Sequence, residues 1–173
     1  MITSETDIYY YDSPLGRLAI GYSHDQIQSI LFMDDDGQEN AYQTRADYKK
    51  KISEGIHLCT KQMDEYFSGQ RREFDFPFSQ EGTRFQKKVW DELLNVPFGK
   101  VISYLELSKR IGDPKAIRAV GTSNGKNQLC IVVPCHRVIG SNGKLVGYGG
   151  GLWRKKWLLD HESKYAGGVL KLF

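Results

Sequence analysis

Residues 129–140 read LCIVVPCHRVIG, and this stretch organises the second half of the 173-residue chain. Its first five residues are continuously apolar, which predicts a fully buried strand. The run ends abruptly at Pro134, where a cysteine, a histidine and an arginine follow in succession. Further on, two short apolar pairs flank an Asn-Gly dipeptide at 142–143, a strong signal for a β-hairpin. A buried strand is therefore expected to lead into the cysteine, histidine and arginine side chains and then into a short hairpin.

Helix signals precede this stretch. Thr83 predicts the start of one helix, because threonine is a favoured N-cap. Ser103 opens an S-x-x-E capping box, which predicts a second, short helix. Asp113 as cap, with Pro114 at the first helical position, predicts a third helix over residues 114–124. Two short helices joined by a glycine-containing turn have the outline of a helix-turn-helix, although two helices packed in a core give the same pattern.

The first half of the chain combines strand and helix patterns. Three strand patterns, which together predict a simple meander, lie at residues 8–11, 18–20 and 27–32. Apolar residues recur at three- and four-residue intervals over 52–67, which predicts a helix that ends at Gly69. The phenylalanines at 74, 76 and 78 alternate as in a strand. An acidic loop at 34–37 lacks the ligand spacing of a calcium site.

These elements predict an α+β fold in two domains. Residues 1–79 are expected to form an N-terminal α/β domain, with a small antiparallel sheet plus helices. Residues 80–173 are expected to form a mostly helical C-terminal domain with a helix-turn-helix and a short hairpin.

The charge is divided unevenly between the two halves. Residues 1–80 hold 8 Lys and Arg and 14 Asp and Glu, a net charge of −6. Residues 81–173 hold the other 16 Lys and Arg and the other 7 Asp and Glu, a net charge of +9. Such asymmetry indicates a polyanionic partner such as nucleic acid, or else a merely solvated basic face. No run approaches ~18 apolar residues, and the N-terminus lacks a secretory pattern, so neither a transmembrane helix nor a signal peptide is expected.

Of the three cysteines, Cys135 is the candidate nucleophile. Cys59 lies on an apolar helix stripe and Cys130 in the apolar run, where small core residues are expected. His136 follows Cys135 and could act as its base, and Glu162 of the last helix could orient the imidazole. A buried cysteine beside a hydrogen-bonded histidine remains the alternative. Three cysteines and four scattered histidines predict neither a disulfide framework nor a metal site, and favour a cytoplasmic location.

Residues 134–140 resemble the active-site signature of the O6-alkylguanine-DNA alkyltransferases, also called methylated-DNA–protein-cysteine methyltransferases. The similarity extends over residues 85–162, including VPFGKVISY at 96–104, and the turn DSPLG at 12–16 is similar to the family's N-terminal domain. The resemblance implies DNA repair by irreversible, single-turnover transfer of an alkyl group from O6 of a flipped guanine to Cys135. It implies a cytoplasmic monomer that binds alkylated double-stranded DNA through the minor groove and requires no cofactor and no metal. O4-alkylthymine is left open as a second substrate.

The resemblance also implies roles for individual residues. Cys135 would accept the alkyl group, His136 would take its proton through a water, and Glu162 would hold His136. Tyr104 would help to rotate the nucleotide out and could donate a proton to the base, and Arg118 would fill the vacated place in the stack. The remaining implied roles are orientation of the active-site turn by Asn127, DNA contacts by Lys115, Ala116, Asn124 and Ser141, and a base pocket lined by Val138, Tyr148, Gly149 and Gly150.

Two other functions compete with repair. The basic second half and the helix-turn-helix outline also fit a non-catalytic DNA-binding protein, either a sensor of alkylated bases or a regulator. A cysteine, a histidine and a carboxylate also fit a thiol hydrolase, which would leave the charge asymmetry unexplained.

Overall fold

A computed structural model describes residues 6–33 and 52–167. The chain divides into two compact units, Met1–Gln80 and Glu81–Phe173. The acidic loop predicted at 34–37 lies outside the described residues. No helix in the described ranges is both long enough and apolar enough to cross a membrane.

The first unit is built on the predicted meander. Strands β1 (Asp7–Ser13), β2 (Gly16–Ser23) and β3 (Gln26–Phe32) form an antiparallel sheet in the order β1-β2-β3. Helix α1 (Glu54–Phe67) packs on this sheet and buries its apolar stripe. The buried core of the unit includes Leu18, Ile20, Ile30, Ile56, Cys59 and Met63.

Local signals explain where α1 begins and ends. The Ser53 hydroxyl accepts a hydrogen bond from the Ile56 amide at 3.2 Å, which caps the N-terminus. Gly69 follows the C-cap with φ of 81°, a left-handed conformation that glycine adopts without strain. The predicted stop at Gly69 is thereby confirmed. Ile52, the first residue of the predicted stripe, lies before the helix and is exposed.

The strand predicted over the phenylalanines at 74, 76 and 78 is wrong. This segment forms a single parallel bridge, in which the Ile27 amide donates to the Pro77 carbonyl and the Ser79 amide donates to the Ile27 carbonyl. Pro77 has no amide hydrogen for a ladder. The three rings instead pack edge to face on one another, with centroids about 6 Å apart.

Three helices begin the second unit. Helix α2 (Arg84–Leu93) starts with a complete capping box between Thr83 and Gln86. Helix α3 (Tyr104–Arg110) starts at Ser103, whose hydroxyl accepts a hydrogen bond from the Glu106 amide. Helix α4 (Ile117–Gly125) packs against both. The Trp90 indole donates to the Ser123 carbonyl at 2.8 Å, which fixes α4 against α2.

Helix α4 begins three residues later than predicted. The Asp113 carboxylate accepts a hydrogen bond from the Lys115 amide at 3.1 Å, and the Asp113 carbonyl accepts one from Ala116. These bonds close a turn ahead of the helix, which then starts after Ala116 without a side-chain cap.

The remaining elements carry the polar cluster. A 3₁₀ turn (Cys135–Arg137) leads into strand β5 (Val138–Ile139), and helix α5 (Leu152–Tyr165) ends the described chain. Strand β5 pairs in parallel with β4 (Ile102–Ser103), which directly precedes α3. This pairing brings the start of α3 beside the end of the 3₁₀ turn.

The predicted hairpin is only partly formed. The Gly140 amide donates to the Lys144 carbonyl at 2.9 Å, so the chain turns at the Asn-Gly pair as expected. Leu145 and Val146 form no strand, because β5 pairs with β4 instead.

Candidate active site

The loop that precedes Cys135 is buried but is not the strand that the apolar run predicts. Leu129 forms an isolated bridge, residues 130–132 form a turn, and Ile131 has φ of 74°. Asn127 replaces the missing sheet partner. Its side-chain nitrogen donates to the Val133 carbonyl at 2.8 Å, and its side-chain oxygen accepts from the Leu129 amide at 3.0 Å. The polar groups of a buried backbone are thus satisfied by one amide side chain.

This loop places Cys135 in the interior, with 5% of the residue exposed. Burial raises the pKa of Cys135, while a hydrogen bond from Asn127 and the charge of Lys155 lower it in part. Asn127 therefore both shapes the loop and contacts the thiol.

Behind Cys135 lies a buried network centred on the Glu162 carboxylate. His136 Nε2 lies 2.7 Å from Glu162 Oε1, and the Arg137 guanidinium makes two bonds of 2.9 Å to the two carboxylate oxygens. The Gly99 amide donates to Glu162 at 3.2 Å, and Arg137 also donates to the Val96 carbonyl at 2.6 Å. The carboxylate thus joins α5, the 3₁₀ turn and the segment before β4.

Gly99 is required in this arrangement. Its φ is 75°, and a Cβ there would lie 2.5 Å from Cβ of Ala166. Any larger residue at position 99 would push the end of α5 away and would weaken the hydrogen bond from the residue-99 amide to Glu162.

The protonation of the network follows from these contacts. Burial alone would raise the pKa of Glu162, but His136 and Arg137 outweigh it and lower that pKa well below its usual range. Burial lowers the pKa of His136, and the attraction of Glu162 does not compensate. A neutral His136 next to a carboxylate carries its proton on Nε2. Nδ1 is then an acceptor, and it is buried without a partner among the described residues.

A second buried charge, Lys155, lies near the thiol. The residue is fully buried, and its ammonium donates to the carbonyls of Val146 at 2.9 Å and Gly147 at 3.2 Å. Burial lowers the pKa of Lys155 to about 8, with an opposing contribution from Cys135. A cation in this place favours the thiolate form of Cys135.

Tyr104, at the start of α3, belongs to the same cluster. Its hydroxyl donates to the Val146 carbonyl at 3.1 Å, and Lys155 Nζ lies 5.9 Å from its ring centroid. Burial raises the pKa of Tyr104, and the charge of Cys135 adds to this effect. The hydroxyl that could donate to a bound base is thus protonated and close to the thiol.

The predicted pocket residues differ in their exposure. Val138 is fully buried in β5, Gly150 is buried and accepts a bond from Arg154, and Gly149 is exposed with open space where a Cβ would stand. Tyr148 is half-buried and its hydroxyl interacts with Cys130.

Most residues predicted to contact DNA lie on the surface. Arg118, Lys115 and Ser141 are exposed, and Ala116 is half-buried. Asn124 differs, because it is 3% exposed and its amide donates to the Cys135 carbonyl at 3.3 Å. The DNA contact expected of Asn124 stays a prediction.

Sequence reasoning missed three basic residues of the site: Arg137, Lys155 and Arg154. The signal for Lys155 was available, since it shares one face of α5 with Leu159 and Glu162, and both are buried. Arg137 was quoted as part of the signature but was given no structural role.

The other two cysteines, the metal-binding residue types and the open groove give no second candidate site among the described residues. Cys59 and Cys130 are buried free thiols, and burial raises the pKa of Cys59 to about 12. Among the described residues no three His, Cys, Asp or Glu side chains lie together as metal ligands. An open groove of ≈ 720 Å³ between α2 and Arg110 is lined mainly by charged side chains and does not include Cys135.

A buried thiol, a neutral imidazole with an acceptor nitrogen and the successive short helices α3 and α4 in one unit fit a DNA-associated protein that carries a reactive cysteine. Residues 84–164 match the family model "6-O-methylguanine DNA methyltransferase, DNA binding domain", and residues 8–80 match "6-O-methylguanine DNA methyltransferase, ribonuclease-like domain". The chain belongs to the 6-O-methylguanine DNA methyltransferase family.

Individual relatives cover nearly the whole chain. The methylated-DNA–protein-cysteine methyltransferase of Mycobacterium tuberculosis is 41% identical over 162 residues, 94% of this chain and 95% of the relative. The constitutive enzyme of that name from Bacillus subtilis is 42% identical over 152 residues, covering 87% and 92%. The crystal structure of Mycobacterium tuberculosis OGT in complex with DNA has a TM-score of 0.80 and 37% identity, covering 92% of this chain and 94% of that one.

Proposed function

We propose that this protein repairs DNA by transferring an alkyl group from O6 of guanine to Sγ of Cys135. The family and the relatives' names support alkyl transfer and do not favour a non-catalytic DNA-binding protein. The observation that carries the assignment to Cys135 is the buried neutral His136 beside it, tied to Glu162 through Nε2 and left with Nδ1 as an unpartnered acceptor.

The proton of the thiol has one evident destination. His136 Nδ1 takes it, through a bridging water, and Glu162 then faces an imidazolium instead of a neutral ring. The carboxylate stabilises this charge, and Arg137 keeps the carboxylate ionised. The Lys155 ammonium stabilises the thiolate that remains.

The transfer is then a single displacement. Sγ of the thiolate attacks the alkyl carbon, a carbon–sulfur bond forms, and the bond between that carbon and O6 breaks. The electron pair passes to the guanine, which takes up one proton from the Tyr104 hydroxyl, and the proton held by His136 then returns to Tyr104 through water. Cysteine thiol and O6-alkylguanine thus become a thioether and guanine, with no cofactor consumed. The thioether is a poor leaving group, so one molecule repairs one lesion.

The second unit presents the DNA-binding surface. Arg118 lies exposed in the first turn of α4, which suits a finger that fills the place of a flipped nucleotide. Lys115 and Ser141 are exposed as phosphate contacts require, and Ala116 allows close approach of the helix. We propose binding of alkylated duplex through the minor groove by a monomer, and a cytoplasmic location in keeping with three free thiols.

Intact-mass measurement after mixing with O6-methylguanine duplex tests the proposal. We expect one methyl group per protein molecule, located on Cys135 by peptide mapping. Cys135→Ser should abolish transfer while DNA binding survives, and Cys130→Ser serves as the matched thiol control that retains transfer. Label on another residue, or many turnovers per molecule, would contradict the proposal.

A further inference from the structure

The segment between the Asn-Gly turn and α5 is rich in glycine. Residues 147–151 read GYGGG, and we call them the pocket loop, because Tyr148, Gly149 and Gly150 are predicted to line the base pocket. Glycine loses more conformational freedom on folding than any other residue, so this segment needs contacts that hold it in one conformation. Within the loop, the Gly151 amide donates to the Tyr148 carbonyl at 2.9 Å. Side chains of α5 supply further contacts.

Two cations in the first turn of α5 hold the two ends of the pocket loop. At the first end, the Lys155 ammonium donates to the Gly147 carbonyl at 3.2 Å. At the second end, the Arg154 guanidinium donates to the Gly150 carbonyl at 2.9 Å. The peptide group between Gly150 and Gly151 is therefore fixed on both sides, since its carbonyl accepts from Arg154 and its amide donates within the loop.

Trp153 covers the Arg154 guanidinium. Arg154 is 8% exposed, although Trp153 beside it is 58% exposed. The guanidinium carbon lies 4.7 Å from the Trp153 ring centroid, within the range of a cation–π contact. Because a hydrogen bond is stronger away from water, the ring strengthens the bond from Arg154 to Gly150. The indole and the guanidinium thus act together on the pocket loop.

Arg154 is also close to the loop that carries the nucleophile. Its charge acts on Cys130, whose thiol interacts with the Tyr148 hydroxyl. The charge of Lys155, by contrast, acts on Cys135 and lowers the pKa of that thiol in part. The neighbouring cations therefore differ in role, because Lys155 affects the reactivity of the thiol and Arg154 contacts the segment beside it.

We propose that Arg154 is a positioning residue for alkyl transfer, which holds the pocket loop in the conformation that receives the flipped base, and that Trp153 keeps its guanidinium in place. The inference rests on the proposed alkyl transfer and extends it. A loop with four glycines among five residues would otherwise sample many conformations, and few of them place the base accurately against Sγ of Cys135. Arg154 orders the loop before the base enters.

Two methyl donors separate positioning from thiol reactivity. The O6-methylguanine of a duplex must be held by the pocket loop, whereas methyl iodide reaches Cys135 without a bound base. In Arg154→Met we expect the single-turnover rate with the duplex to fall ~tenfold, because the base is held less accurately. The rate with methyl iodide, measured by peptide mapping of Cys135, should not fall. A wild-type duplex rate in Arg154→Met, or equal losses with the two methyl donors, would overturn the inference.

A conservative variant and a neighbouring lysine provide the controls. Arg154→Lys retains an ammonium that donates to the Gly150 carbonyl and contacts the indole, so it should recover most of the duplex rate. Lys156→Met, an exposed change on the same helix, should retain the wild-type rate. An Arg154→Lys protein as slow as Arg154→Met would contradict the role of the hydrogen bond to Gly150.

Trp153 supplies a test that leaves the core intact, because its side chain is exposed. Trp153→Ala uncovers the guanidinium and should slow repair of the duplex ~threefold, whereas Trp153→Phe keeps an aromatic face and should restore the rate. Equal duplex rates for Trp153→Ala and the wild-type protein would overturn the role given to the indole.

Amide hydrogen exchange follows the pocket loop without any substrate. In Arg154→Met the Gly151 amide should exchange ~tenfold faster than in the wild-type protein, because the loop opens more often. The Leu159 amide, in the middle of α5, should exchange at the wild-type rate. Unchanged exchange at Gly151 would overturn the inference. Absence of methyl transfer from the duplex to the wild-type protein would instead refute the proposed function.

Discussion

At the scale of single residues, the site is an arrangement of buried charges. Arg137 and Glu162 neutralise each other through two hydrogen bonds, so neither charge is left unpaired. The Lys155 ammonium donates to two carbonyl oxygens, and burial lowers its pKa to about 8. The Arg137–Glu162 pair holds His136, the general base, in place, whereas the charge of Lys155 favours the thiolate form of Cys135.

Replacing Lys155 should change the pH dependence of repair. Lys155→Met removes the positive charge that lowers the pKa of Cys135, so that pKa rises. A higher pKa leaves less thiolate at neutral pH, so the single-turnover rate should fall ~tenfold. The rate-against-pH curve should shift to higher pH. Lys156→Met, an exposed change one residue away, should leave the curve in place, and an unshifted curve for Lys155→Met would contradict the role given to this lysine.

Replacing Glu162 should affect both stability and reactivity. Glu162→Gln leaves the buried Arg137 without its carboxylate, which is expected to lower the free energy of unfolding by about 3 kcal/mol and Tm by about 10 °C. The pKa of Cys135 should also rise, because a protonated His136 loses its partner. Thermal melts and thiol titration measure the two effects. Glu106→Gln, in an exposed pair with Arg110, should cost less than about 1 kcal/mol, and equal melts for the two variants would refute the network.

Sequence alone could predict Cys135, His136 and Glu162 because their chemistry is recognisable from residue type and from the family signature. The helical spacing of Lys155 to Leu159 and Glu162 could have placed it on the buried face of α5, but its hydrogen bonds to the Val146 and Gly147 carbonyls follow only from the packing of α5. Nor could sequence predict that the Asn124 amide donates to the Cys135 carbonyl, because this contact depends on how α4 packs against the 3₁₀ turn.

At the scale of elements, the two serine and threonine caps were reliable, whereas the Asp113–Pro114 start and the apolar run were not. Thr83 and Ser103 cap their helices as predicted, because capping involves only neighbouring backbone. The apolar run at 129–133 instead depends on Asn127, whose side chain replaces the hydrogen bonds of a sheet. The apolar pattern of residues 129–133 correctly predicted that the segment is buried. It carries no information about which groups form hydrogen bonds with the backbone of that segment.

Helix α4 makes a specific prediction about base flipping. Arg118→Ala should slow repair in duplex DNA ~tenfold and in single-stranded DNA much less, because the finger compensates for stacking that only a duplex loses. Single-turnover rates on the two substrates measure this. Lys109→Ala, an exposed basic residue on α3, is the control and should not separate the two substrates. Equal losses on both substrates for Arg118→Ala would remove the finger role.

At the scale of the whole molecule, the two units differ in charge and in chemistry. The net charge of −6 for residues 1–80 and +9 for 81–173 accords with DNA binding by the second unit. Every residue of the site described above belongs to that unit. In the first unit, the buried Cys59 and the Tyr11 hydroxyl bonded to Asp64 have raised pKa values that influence stability instead.

The free energy of unfolding should decline at alkaline pH, because Cys59 and Tyr11 have raised pKa values in the folded protein. Burial raises the pKa of Cys59 to about 12 from a usual value of 9.0, so above pH 9 the unfolded chain loses this proton while the folded chain keeps it. The stability contributed by the protonated thiol is complete below pH 9 and is lost as pH rises towards 12. Tyr11 and Cys130 act in the same direction, whereas Lys155, with its lowered pKa, opposes them between about 8 and 10.5.

Urea unfolding at a series of pH values from neutral to alkaline tests this account of Cys59. Cys59→Ala lowers stability at neutral pH, because it opens a small cavity in the core. Its free energy of unfolding should nevertheless fall less steeply above pH 9, by up to about 1.4 kcal/mol per pH unit, since one titrating group is removed. His57→Ala, an exposed change on α1, should run parallel to the wild-type curve. A Cys59→Ala curve that also stays parallel would show that the thiol does not set the alkaline limit.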